Sequence, residues 1–423
     1  MTFFRKTDFQ ETPTGEIPKD WELVKINEIS EVRRGASPRP IGDLKYFSDK
    51  GRGWIRISDV TSTYKYLRKT SQYLSELGES KSVKVDPGDL IMSICATIGK
   101  PIIVDMKACI HDGFVVFRNL SSKVDIEFLF YLLQKNEVRF IKMKQTGTQG
   151  NLNTGLVGRT SIPLPPLSEQ HMIVKILSVV DLAIGKVDEV IAKTERLKKG
   201  LMQELLTKGI GHKEFKDTKI GKTPKIWEVV KLKDVVEIDR ESRDPSREMP
   251  DRTFLYVDID SVDGGTGKIR NPKTILGKEA PSRARRVIHE NDVIMSTVRP
   301  YLKAFAIVPR ELDNKICSTG FAVLSCGNNI LSYFLLNVLF SNQIINQCNR
   351  MMVGGQYPAL NQSQVSEIKI PLPPLSEQQK IADIFFSIDR KLELERNDKA
   401  KLERIKQGLM DLLLTGKIRV KVD

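Results

Sequence analysis

Two segments of this chain are identical over nine residues. Positions 162–170 read Ile-Pro-Leu-Pro-Pro-Leu-Ser-Glu-Gln, and positions 370–378 repeat them without change, 208 residues later in a chain of 423. A period this long exceeds the roughly 20 to 50 residues of a solenoid repeat, so each copy is large enough to contain a domain. The sequence therefore predicts a tandem duplication, and two similar modules on one chain indicate a ligand with two similar parts.

The match extends through both halves of the chain. Trp21 corresponds to Trp227, 206 positions later, and the run Asp-Leu-Ile-Met-Ser at 89–93 corresponds to Asp-Val-Ile-Met-Ser at 292–296. Between such anchors the two halves diverge. We therefore expect one common scaffold that carries two different surfaces.

Most of the net charge of +14 lies in residues 1–167 and 209–375, and little of it lies in the segments after the two proline runs. Residues 1–167 hold 25 basic and 19 acidic side chains, and residues 209–375 hold 24 and 19. Residues 168–208 hold 7 and 6, and residues 376–415 hold 8 of each. Moderately basic domains fit a polyanion partner such as nucleic acid.

The sequence carries no sign of a membrane or secretory protein. No apolar run approaches the ~18 residues of a membrane span, and the start Met-Thr-Phe-Phe-Arg-Lys lacks the apolar region of a signal peptide. We therefore expect a cytoplasmic protein without a membrane partner. The five cysteines are an odd number without a Cys-x-x-Cys pair, which favours reduced thiols over disulfides or zinc.

Each proline run predicts the start of a long helix. Proline fixes φ and disfavours helical backbone for the residue before it, so a helix can begin only after the run. Ser168 and Ser376 then occupy the expected N-cap positions, and Ser376 with Gln379 has the spacing of a capping box. Glu169 and Glu377 lie in the first turn, where a carboxylate favours the helix dipole.

The residues after each proline run alternate apolar positions in steps of four and three, which is the heptad pattern of a coiled coil. The first seam is Ile173, Leu177, Val180, Ile184, Val187, Ile191 and Thr194, and the second is Ile381, Phe385, Ile388, Leu392 and Glu395. A long amphipathic helix needs a partner for its apolar stripe. The partner is either the other helix, which we favour, or the helix's own domain.

The order of matching segments predicts that the two helices run antiparallel. The segment at 215–238, which follows the first helix, matches the segment at 9–32, which opens the chain. The second helix should therefore end near the N-terminus. This circular continuity predicts a pseudo-twofold arrangement of the duplicated parts.

The remaining residues predict a mixed α/β domain in each half. Strand-like stretches at 54–58, 90–94 and 113–117 are bounded by glycine, proline or aspartate, and helical stretches at 126–144 and 331–349 follow in the two halves. We expect an α+β protein in which two similar α/β domains, each with a curved sheet, are joined by two long antiparallel coiled-coil helices. The predicted boundaries are a first domain at 1–167, a first helix at 168–208, a second domain at 209–375, and a second helix with the tail at 376–423.

Basic, aromatic and amide side chains cluster in the loops of each half and are our candidates for nucleic-acid contacts. Arginine matches guanine, asparagine and glutamine match adenine, and lysine or arginine binds phosphate. A single residue of this kind is more often a solvated surface charge, so the prediction depends on the clusters. The first-half candidates are Arg33, Arg34, Arg39, Arg52, Arg56, Tyr64, Thr97, Lys100, Gln149 and Asn151. The second-half candidates are Arg240, Arg243, Arg247, Arg283, Arg285, Arg286, Arg299, Tyr301, Gln356 and Tyr357.

The sequence lacks the motifs of the enzymes that act on nucleic acids. It contains no Asn-Pro-Pro-aromatic methyltransferase motif, no Gly-x-x-x-x-Gly-Lys phosphate loop and no His-Glu-x-x-His zinc motif. The four histidines are scattered and favour neither a metal site nor a catalytic triad. We therefore predict no catalysis, no metal and no cofactor bound by this chain.

A duplicated chain in which each variable half is closed by the proline run and a long heptad helix resembles the specificity (S) subunit of type I restriction-modification enzymes. The resemblance covers essentially the whole chain. It implies two target-recognition domains that each read one part of an interrupted double-stranded DNA site, with the helices as a spacer. A stand-alone nucleic-acid-binding regulator and a helical scaffold whose domains bind protein stay open as alternatives.

The resemblance also implies the partners of this chain. These are two methyltransferase (M) subunits and, in the full assembly, restriction (R) subunits. S-adenosylmethionine, ATP and Mg are then used by the partner subunits for adenine methylation or DNA cleavage.

Overall fold

The computed structural model describes residues 3–4, 8–143, 152–352 and 358–420, and the chain forms two compact units. Unit 1 consists of residues 1–186 and 398–423, and unit 2 consists of residues 187–397. Each unit therefore combines a globular part with the first half of one long helix and the last part of the other.

The globular part of unit 1 alternates short strands and short helices. Its strands are β1 (Phe3–Phe4), β2 (Phe9–Gln10), β3 (Ile17–Pro18), β4 (Glu22–Lys25), β5 (Glu31–Arg34), β6 (Phe47–Ile55), β7 (Tyr66–Leu67), β8 (Tyr73–Leu74), β9 (Val83–Val85), β10 (Leu90–Ser93), β11 (Pro101–Val104), β12 (Ala108–Ile110), β13 (Phe114–Arg118) and β14 (Ser161–Leu164). Its helices are α1 (Ile26–Ile29), α2 (Ile57–Thr61), α3 (Glu76–Ser80), α4 (Ile126–Lys135), α5 (Glu137–Lys142) and α6 (Thr154–Gly158), and the long helix α7 (Leu167–Lys208) follows.

Unit 2 has the same kind of organisation. Its strands are β15 (Phe215–Thr218), β16 (Gly221–Pro224), β17 (Glu228–Lys231), β18 (Val236–Ile238), β19 (Thr253–Val257), β20 (Val262–Asp263), β21 (Lys268–Ile269), β22 (Lys273–Leu276), β23 (Ala284–Ile288), β24 (Val293–Ser296), β25 (Phe305–Ile307), β26 (Lys315–Ser318), β27 (Phe321–Cys326) and β28 (Lys369–Leu372). Its helices are α8 (Pro245–Glu248), α9 (Ser332–Phe340), α10 (Asn342–Met351) and α11 (Gln362–Ser366). The second long helix α12 (Leu375–Leu413) and strand β29 (Arg419–Val420) complete the chain.

The repeated sequence anchors form the central strands of both units. In unit 1 the larger sheet has the order β5-β13-β10-β11-β7, and in unit 2 the equivalent order is β18-β27-β24-β25. Ser93 of β10 pairs with Phe114 of β13, and Ser296 of β24 pairs with Phe321 of β27 in the same register. The prediction of two similar α/β domains is therefore confirmed.

The sequence predicted a curved sheet in each domain, and the structure adds a second large sheet in each unit. Its order is β8-β6-β12-β9 in unit 1 and β22-β19-β26-β23 in unit 2. Strand β10 is buried on both faces: Leu90 and Met92 share a core with Phe128 of α4, whereas Ile91 shares another core with Ile55 of the second sheet. A strand covered on both sides needs a helix layer on one face and a second layer on the other.

Three sequence-based element boundaries are also corrected. The strand expected at 54–58 ends at Ile55, because the N–H of Arg56 bonds to Asp59 at 2.9 Å and starts helix α2. The helix expected at 126–144 divides at Asn136, whose side chain donates to the carbonyl of Leu132 at 2.8 Å. The helix expected at 331–349 divides at Ser341, which caps α10. Polar side chains that bond to backbone compete with a continuous helix.

The long helices begin one residue before their predicted bounds, and their N-caps lie two residues before the predicted serines. The carbonyl oxygen of Pro166 accepts the N–H groups of Glu169 and Gln170 at 2.9 and 3.0 Å, so Pro166 occupies the N-cap position instead of Ser168, and Pro374 replaces Ser376 in the same way. The predicted capping box at Ser376 is wrong, because Gln379 donates to Asp383 at 2.8 Å.

The helices pack antiparallel within each unit. In unit 2, Lys198 of α7 contacts Asp389 of α12 at 2.6 Å, and Glu195 contacts Arg396 at 2.7 Å, so residue numbers rise along one helix as they fall along the other. In unit 1 the start of α7 shares its core with the end of α12. Strand β1 pairs with β29, which confirms that the second helix ends near the N-terminus.

The heptad seams are only partly a helix–helix contact. Ile173 and Leu177 belong to the globular core of unit 1, and Ile381 and Phe385 belong to that of unit 2. Each helix therefore packs first on its own domain and then on the other helix, so both partners that the sequence allowed are used. Among the described ranges, no helix is long and apolar enough to cross a membrane.

Candidate nucleic-acid interface

A buried tryptophan and glutamate attach the first long helix to unit 1. Trp21 Nε1 donates to Glu169 Oε2 at 3.2 Å, and the guanidinium of Arg419 donates to both oxygens of the same carboxylate at 2.6 Å each. Arg419 also donates to both oxygens of Asp20. Such a bidentate pair compensates the burial of the Glu169 charge. We call Trp21, Glu169 and Arg419 joint 1.

Unit 2 repeats this arrangement at the start of the second long helix. Trp227 Nε1 donates to Glu377 Oε2 at 2.9 Å, His212 Nε2 lies 2.8 Å from Glu377 Oε1, and the N–H of Ile210 also bonds to this oxygen. Gly209 has a φ of +66°, and a Cβ there would lie 2.5 Å from Glu377 Oε1, so only glycine fits. We call Trp227, Glu377 and His212 joint 2.

The glutamine that ends each proline segment is fully buried and bonds the helix start to the globular core. Gln170 donates to the carbonyls of Pro165 and Lys123 at 2.8 and 2.9 Å and accepts the N–H of Asp125 at 2.8 Å. Gln378 makes the same three contacts, with Pro373, Asn329 and Leu331, in unit 2. The proline segment is therefore repeated because its glutamate and glutamine make the same docking contacts twice.

A second repeated contact links the globular part to both long helices. Lys406 Nζ of α12 lies 3.0 Å from Asp181 Oδ1 of α7, and the hydroxyl of Tyr131 in α4 donates to the other Asp181 oxygen. We call Tyr131, Asp181 and Lys406 ion-pair site 1. The three residues come from three different helices and are buried together.

Ion-pair site 2 is the same contact in unit 2, formed by Tyr333, Asp389 and Lys198. Lys198 Nζ lies 2.6 Å from Asp389 Oδ1, and the hydroxyl of Tyr333 donates to Asp389 Oδ2 at 2.7 Å. This pair is more exposed than its counterpart. The side chains of Lys198 and Asp389 are 14% and 25% exposed, whereas those of Lys406 and Asp181 are 9% and 10% exposed. The site in unit 1 therefore carries the larger desolvation cost.

Burial dominates the electrostatics of ion-pair site 1. It raises the pKa of Asp181 to about 6 and lowers the pKa of Lys406 to about 8. The hydrogen bond from Tyr131 and the charge of Lys65 favour the ionised form of Asp181, but removal from water disfavours it more strongly. Removal of one charge from such a buried pair costs more than replacement of both.

Sequence reasoning assigned Glu169 and Glu377 only to the helix dipole and missed Gln170, Asp181 and Lys406. A signal for them was present in the period itself. Asp181 and Asp389 are 208 positions apart, as are Lys198 and Lys406, which is also the spacing of the proline segments. Polar residues that recur at the period of a duplication within apolar helices are candidates for repeated buried contacts.

The candidate DNA-contacting residues of unit 1 separate into an exposed group and an internal group. Arg34 Nε and Arg39 Nη2 meet at Asp112, at 2.8 Å from its carbonyl and 2.9 Å from Oδ2, respectively. Arg33 pairs with Glu31 and is well exposed. We call Arg34 and Arg39 at Asp112 arginine cluster 1.

Other unit 1 candidates make contacts inside the unit. Arg52 donates to Val85 and Asp86 and is 19% exposed. The Tyr64 hydroxyl donates to Asp181 of α7. Lys100 is half-buried and donates to the carbonyl of Thr61, and burial lowers its pKa. Two further unit 1 candidates lie within the described residues and differ from each other. Arg56 is exposed and bonds to Gln72, whereas Thr97 is partly buried.

Unit 2 brings three of its candidate arginines together. Arg247 and Arg285 lie 3.5 and 3.3 Å from Asp244, and Arg243 lies 3.8 Å from Glu248 on the same short helix. Arg247 is 87% exposed. We call Arg243, Arg247 and Arg285 arginine cluster 2.

Arg286 makes internal contacts instead. It pairs with Asp239 at 2.6 Å and donates to the carbonyl of Phe321, and its side chain is 19% exposed. Burial raises the pKa of Asp239. The other unit 2 candidates are at least partly exposed, namely Arg240, Arg283, Arg299 and Tyr301. Four candidates, Gln149, Asn151, Gln356 and Tyr357, lie outside the described residues.

Comparison with known proteins agrees with this repeated architecture. The family model for the type I restriction modification DNA specificity domain matches residues 18–193 and again 224–404. The chain is 30% identical to the type I restriction enzyme MjaVIII specificity subunit of Methanocaldococcus jannaschii, over 100% of this chain and 98% of that protein. It is 31% identical to the putative MjaX specificity subunit of the same organism, over 100% and 99%.

Solved structures show the same fold at lower identity. The S subunit of a type I restriction-modification system from M. genitalium superposes with a TM-score of 0.55 at 16% identity, over 93% of this chain and 96% of that one. A chain from a structure on assembly of the type I R-M system has a TM-score of 0.55 at 20% identity, over 95% and 99%. Since the family model covers most of the sequence in two successive copies, the chain belongs to the DNA-specificity family of type I restriction-modification systems.

Proposed function

We propose that this chain reads a bipartite, interrupted DNA site, with one half-site read by each unit, and positions methyltransferase and restriction subunits for adenine methylation or cleavage. The observation that supports this best is the contrast within the duplication. Both units repeat the tryptophan–glutamate contact and the tyrosine–aspartate–lysine contact, whereas arginine clusters 1 and 2 differ in number and in surroundings. The repeated contacts attach both globular parts to the long helices in the same way, and the two arginine clusters give each unit a different surface. This combination suits one protein that reads two different DNA half-sites.

The chain contributes position and no chemistry to this reaction. The specificity family is the non-catalytic DNA-recognition component of type I systems, so DNA and the modification and restriction subunits are its partners. The specificity family gives no support to the stand-alone regulator that the sequence left open. Each unit would fix which adenine lies beneath a methyltransferase, which then turns the base out of the duplex.

The finer assignments are part of the proposal. We assign target recognition to residues 1–167 and 209–375, and the spacer to residues 168–208 and 376–423. Two M subunits would bind this chain, with R subunits added in the full complex. S-adenosylmethionine, ATP and Mg would bind to those partners, and the complex would act in the cytoplasm, where the DNA lies.

Methylation by the reconstituted complex tests the proposal. The chain is incubated with S-adenosylmethionine and genomic DNA, with and without its methyltransferase partner, and methylated adenines are mapped by sequencing. The expected product is one interrupted motif with two defined parts, which appears only with the partner. Methylation by the chain alone, or a continuous motif, would contradict the proposal.

A further inference from the structure

The hairpin that follows the first long helix differs in charge from its duplicate. Strands β15 and β16 pair Phe215 with Pro224, and strands β2 and β3 pair Phe9 with Pro18 at the equivalent positions. Residues 214–225 contain four lysines and two acidic residues, whereas residues 8–19 contain one lysine and three acidic residues. Two hairpins of the same fold therefore carry net charges of opposite sign.

Three of the lysines in unit 2 lack a compensating charge. Lys225 pairs with Glu214 at 3.1 Å, but Lys216, Lys219 and Lys222 are exposed and have no carboxylate partner within the described part of the chain. Unpaired like charges on one small hairpin repel one another, and a bound polyanion removes this repulsion.

Lys216 and Lys219 border a concave surface between the hairpin and the strand pair β17–β28, whereas Lys222 lies opposite Asp217 on the hairpin and outside this surface. The concavity has a volume of about 530 Å³ and is lined by four lysines. They are Lys216, Lys219, Lys231 and Lys369. The equivalent positions of unit 1 hold Gln10, Pro13, Lys25 and Ser161. Three of the four lysines are therefore specific to unit 2, and we call the set the lysine concavity.

The lining indicates which part of a nucleic acid would bind. Besides the lysines it contains Asp217, Thr218 and Asp234 and two valines, and it contains none of the arginine, asparagine or glutamine side chains that read base edges. Lysine is a point charge suited to phosphate, and threonine hydroxyls also bond to phosphate oxygens. The surface is equipped to hold a backbone and not to distinguish a sequence.

We propose that the lysine concavity binds the phosphate backbone of duplex DNA, as a sequence-independent contact made by unit 2 and not by unit 1. This inference rests on the proposed function, in which the chain is bound along DNA. A duplex presents one phosphate charge per roughly 1.7 Å of its axis, so several lysines on one hairpin can be neutralised together. The acidic hairpin of unit 1 would repel the same backbone.

The salt dependence of DNA binding tests this contact. The complex of this chain with its methyltransferase partner is titrated with duplex DNA at several salt concentrations, for the parent chain and for K216Q/K219Q. Log K falls with log salt, and each lost phosphate contact makes this slope shallower by about 0.9, so we expect the slope of the variant to be shallower by roughly 1 to 2. The methylated motif should not change, because phosphate contacts carry no base information. The matched control K216R/K219R keeps the charge and should keep the slope.

Two results would overturn the proposal. One is an unchanged slope in the glutamine variant. The other is a reduced yield of the methyltransferase complex at an unchanged slope, which would assign the lysines to an acidic partner surface. Failure of the proposed function is distinguishable, because it appears as the absence of a bipartite motif in the parent complex. The salt titration can still be performed on an arbitrary duplex.

Discussion

Units 1 and 2 repeat one attachment with different third partners. In joint 1 the buried Glu169 carboxylate is held by Trp21 and by the guanidinium of Arg419, whereas in joint 2 Glu377 is held by Trp227 and by the imidazole of His212. The tryptophan, glutamate and following glutamine are the same in both units. The comparison shows that the geometry of the docked helix depends on these three residues, while any suitable donor can satisfy the remaining carboxylate lone pairs.

The solvent-facing surfaces of the two units differ far more than their attachments. Arginine cluster 1 gathers two arginines at Asp112, and arginine cluster 2 gathers three near Asp244 and Glu248. The first hairpins of the units carry opposite net charges. Internal contacts have therefore stayed the same after duplication, and surface charge has diverged, as expected when each unit faces different bases.

The largest expected difference between the units is in the stability of their joints. In E169A, Arg419 is left 7% exposed with Asp20 as its remaining acidic partner, and removal of one member of a buried ion pair costs about 3 to 5 kcal/mol. In E377A the indole N–H of Trp227 and the backbone N–H of Ile210 lose their acceptor, and an unsatisfied buried donor costs about 1 to 3 kcal/mol. Urea unfolding of both variants measures the difference. Equal losses of unfolding free energy in E169A and E377A would show that the exchange of Arg419 for His212 does not make the joints differ in stability.

Ion-pair site 1 should behave as a coupled pair. Substitution K406M leaves Asp181 buried without its cation, and we expect a loss of about 3 kcal/mol. The double variant D181N/K406M removes both charges and should regain most of this loss. The more exposed site 2 provides the control, since K198M should cost less. Additive effects in the double variant would contradict the coupling.

The same site predicts a pH dependence of the unfolding free energy. The pKa of Asp181 is about 6 in the folded chain, against 3.8 for an ordinary aspartate. At a pH between these two values, the folded chain keeps a proton on Asp181 that the unfolded chain has lost. The unfolding free energy of the parent chain should therefore fall, relative to D181N, as the pH rises from about 4 to 6, by roughly 1 to 3 kcal/mol. Urea unfolding across this range measures it. The assigned burial of Asp181 would be contradicted if, as the pH rises, the unfolding free energy of the parent chain stayed constant or increased relative to that of D181N.

The arginine clusters predict a smaller and more local effect. Loss of a base contact costs about 1 to 3 kcal/mol and relaxes one position, whereas loss of a phosphate contact weakens binding to all sequences alike. We expect R34A to affect one half-site and R285A the other. R286A should mainly destabilise unit 2, because Arg286 pairs with the buried Asp239. Binding to two series of half-site mutants separates these outcomes, and an R285A effect on the half-site of R34A would break the assignment.

The sequence predicted those parts of the structure that the duplication repeats. The 206- and 208-residue spacings identified the domains, both long helices and the meeting of the chain ends, because repeated apolar and proline patterns determine where elements begin and how they continue. The N-caps were missed because the carbonyl of a proline two residues before the serine accepts the first N–H groups of the helix. The helix breaks at Asn136 and Ser341 depend on side-chain bonds that have no periodic signature.

The candidate site was harder to predict than the fold. The arginine-rich loops could be identified, but arginines only one residue apart have different environments. Arg285 lies beside Asp244 in cluster 2, whereas Arg286 contacts Asp239 and the carbonyl of Phe321. A β-bulge between positions 284 and 286 changes the alternation of the strand there, and sequence alternation alone does not reveal it.

The central claim is that each unit reads its own half-site. Replacement of the globular part of unit 1 by that of unit 2 tests this claim most directly. Strand pairs β4–β14 and β17–β28 have equivalent registers, with Lys25 opposite Ser161 and Lys231 opposite Lys369, so residues 26–160 can be replaced by residues 232–368 at matched positions. The chimaera is combined with the methyltransferase partner and its methylated motif is sequenced. The account predicts that the half-site of unit 2 appears in both parts of the motif and that the half-site of unit 1 disappears. A folded chimaera that still methylates the half-site of unit 1 would contradict it.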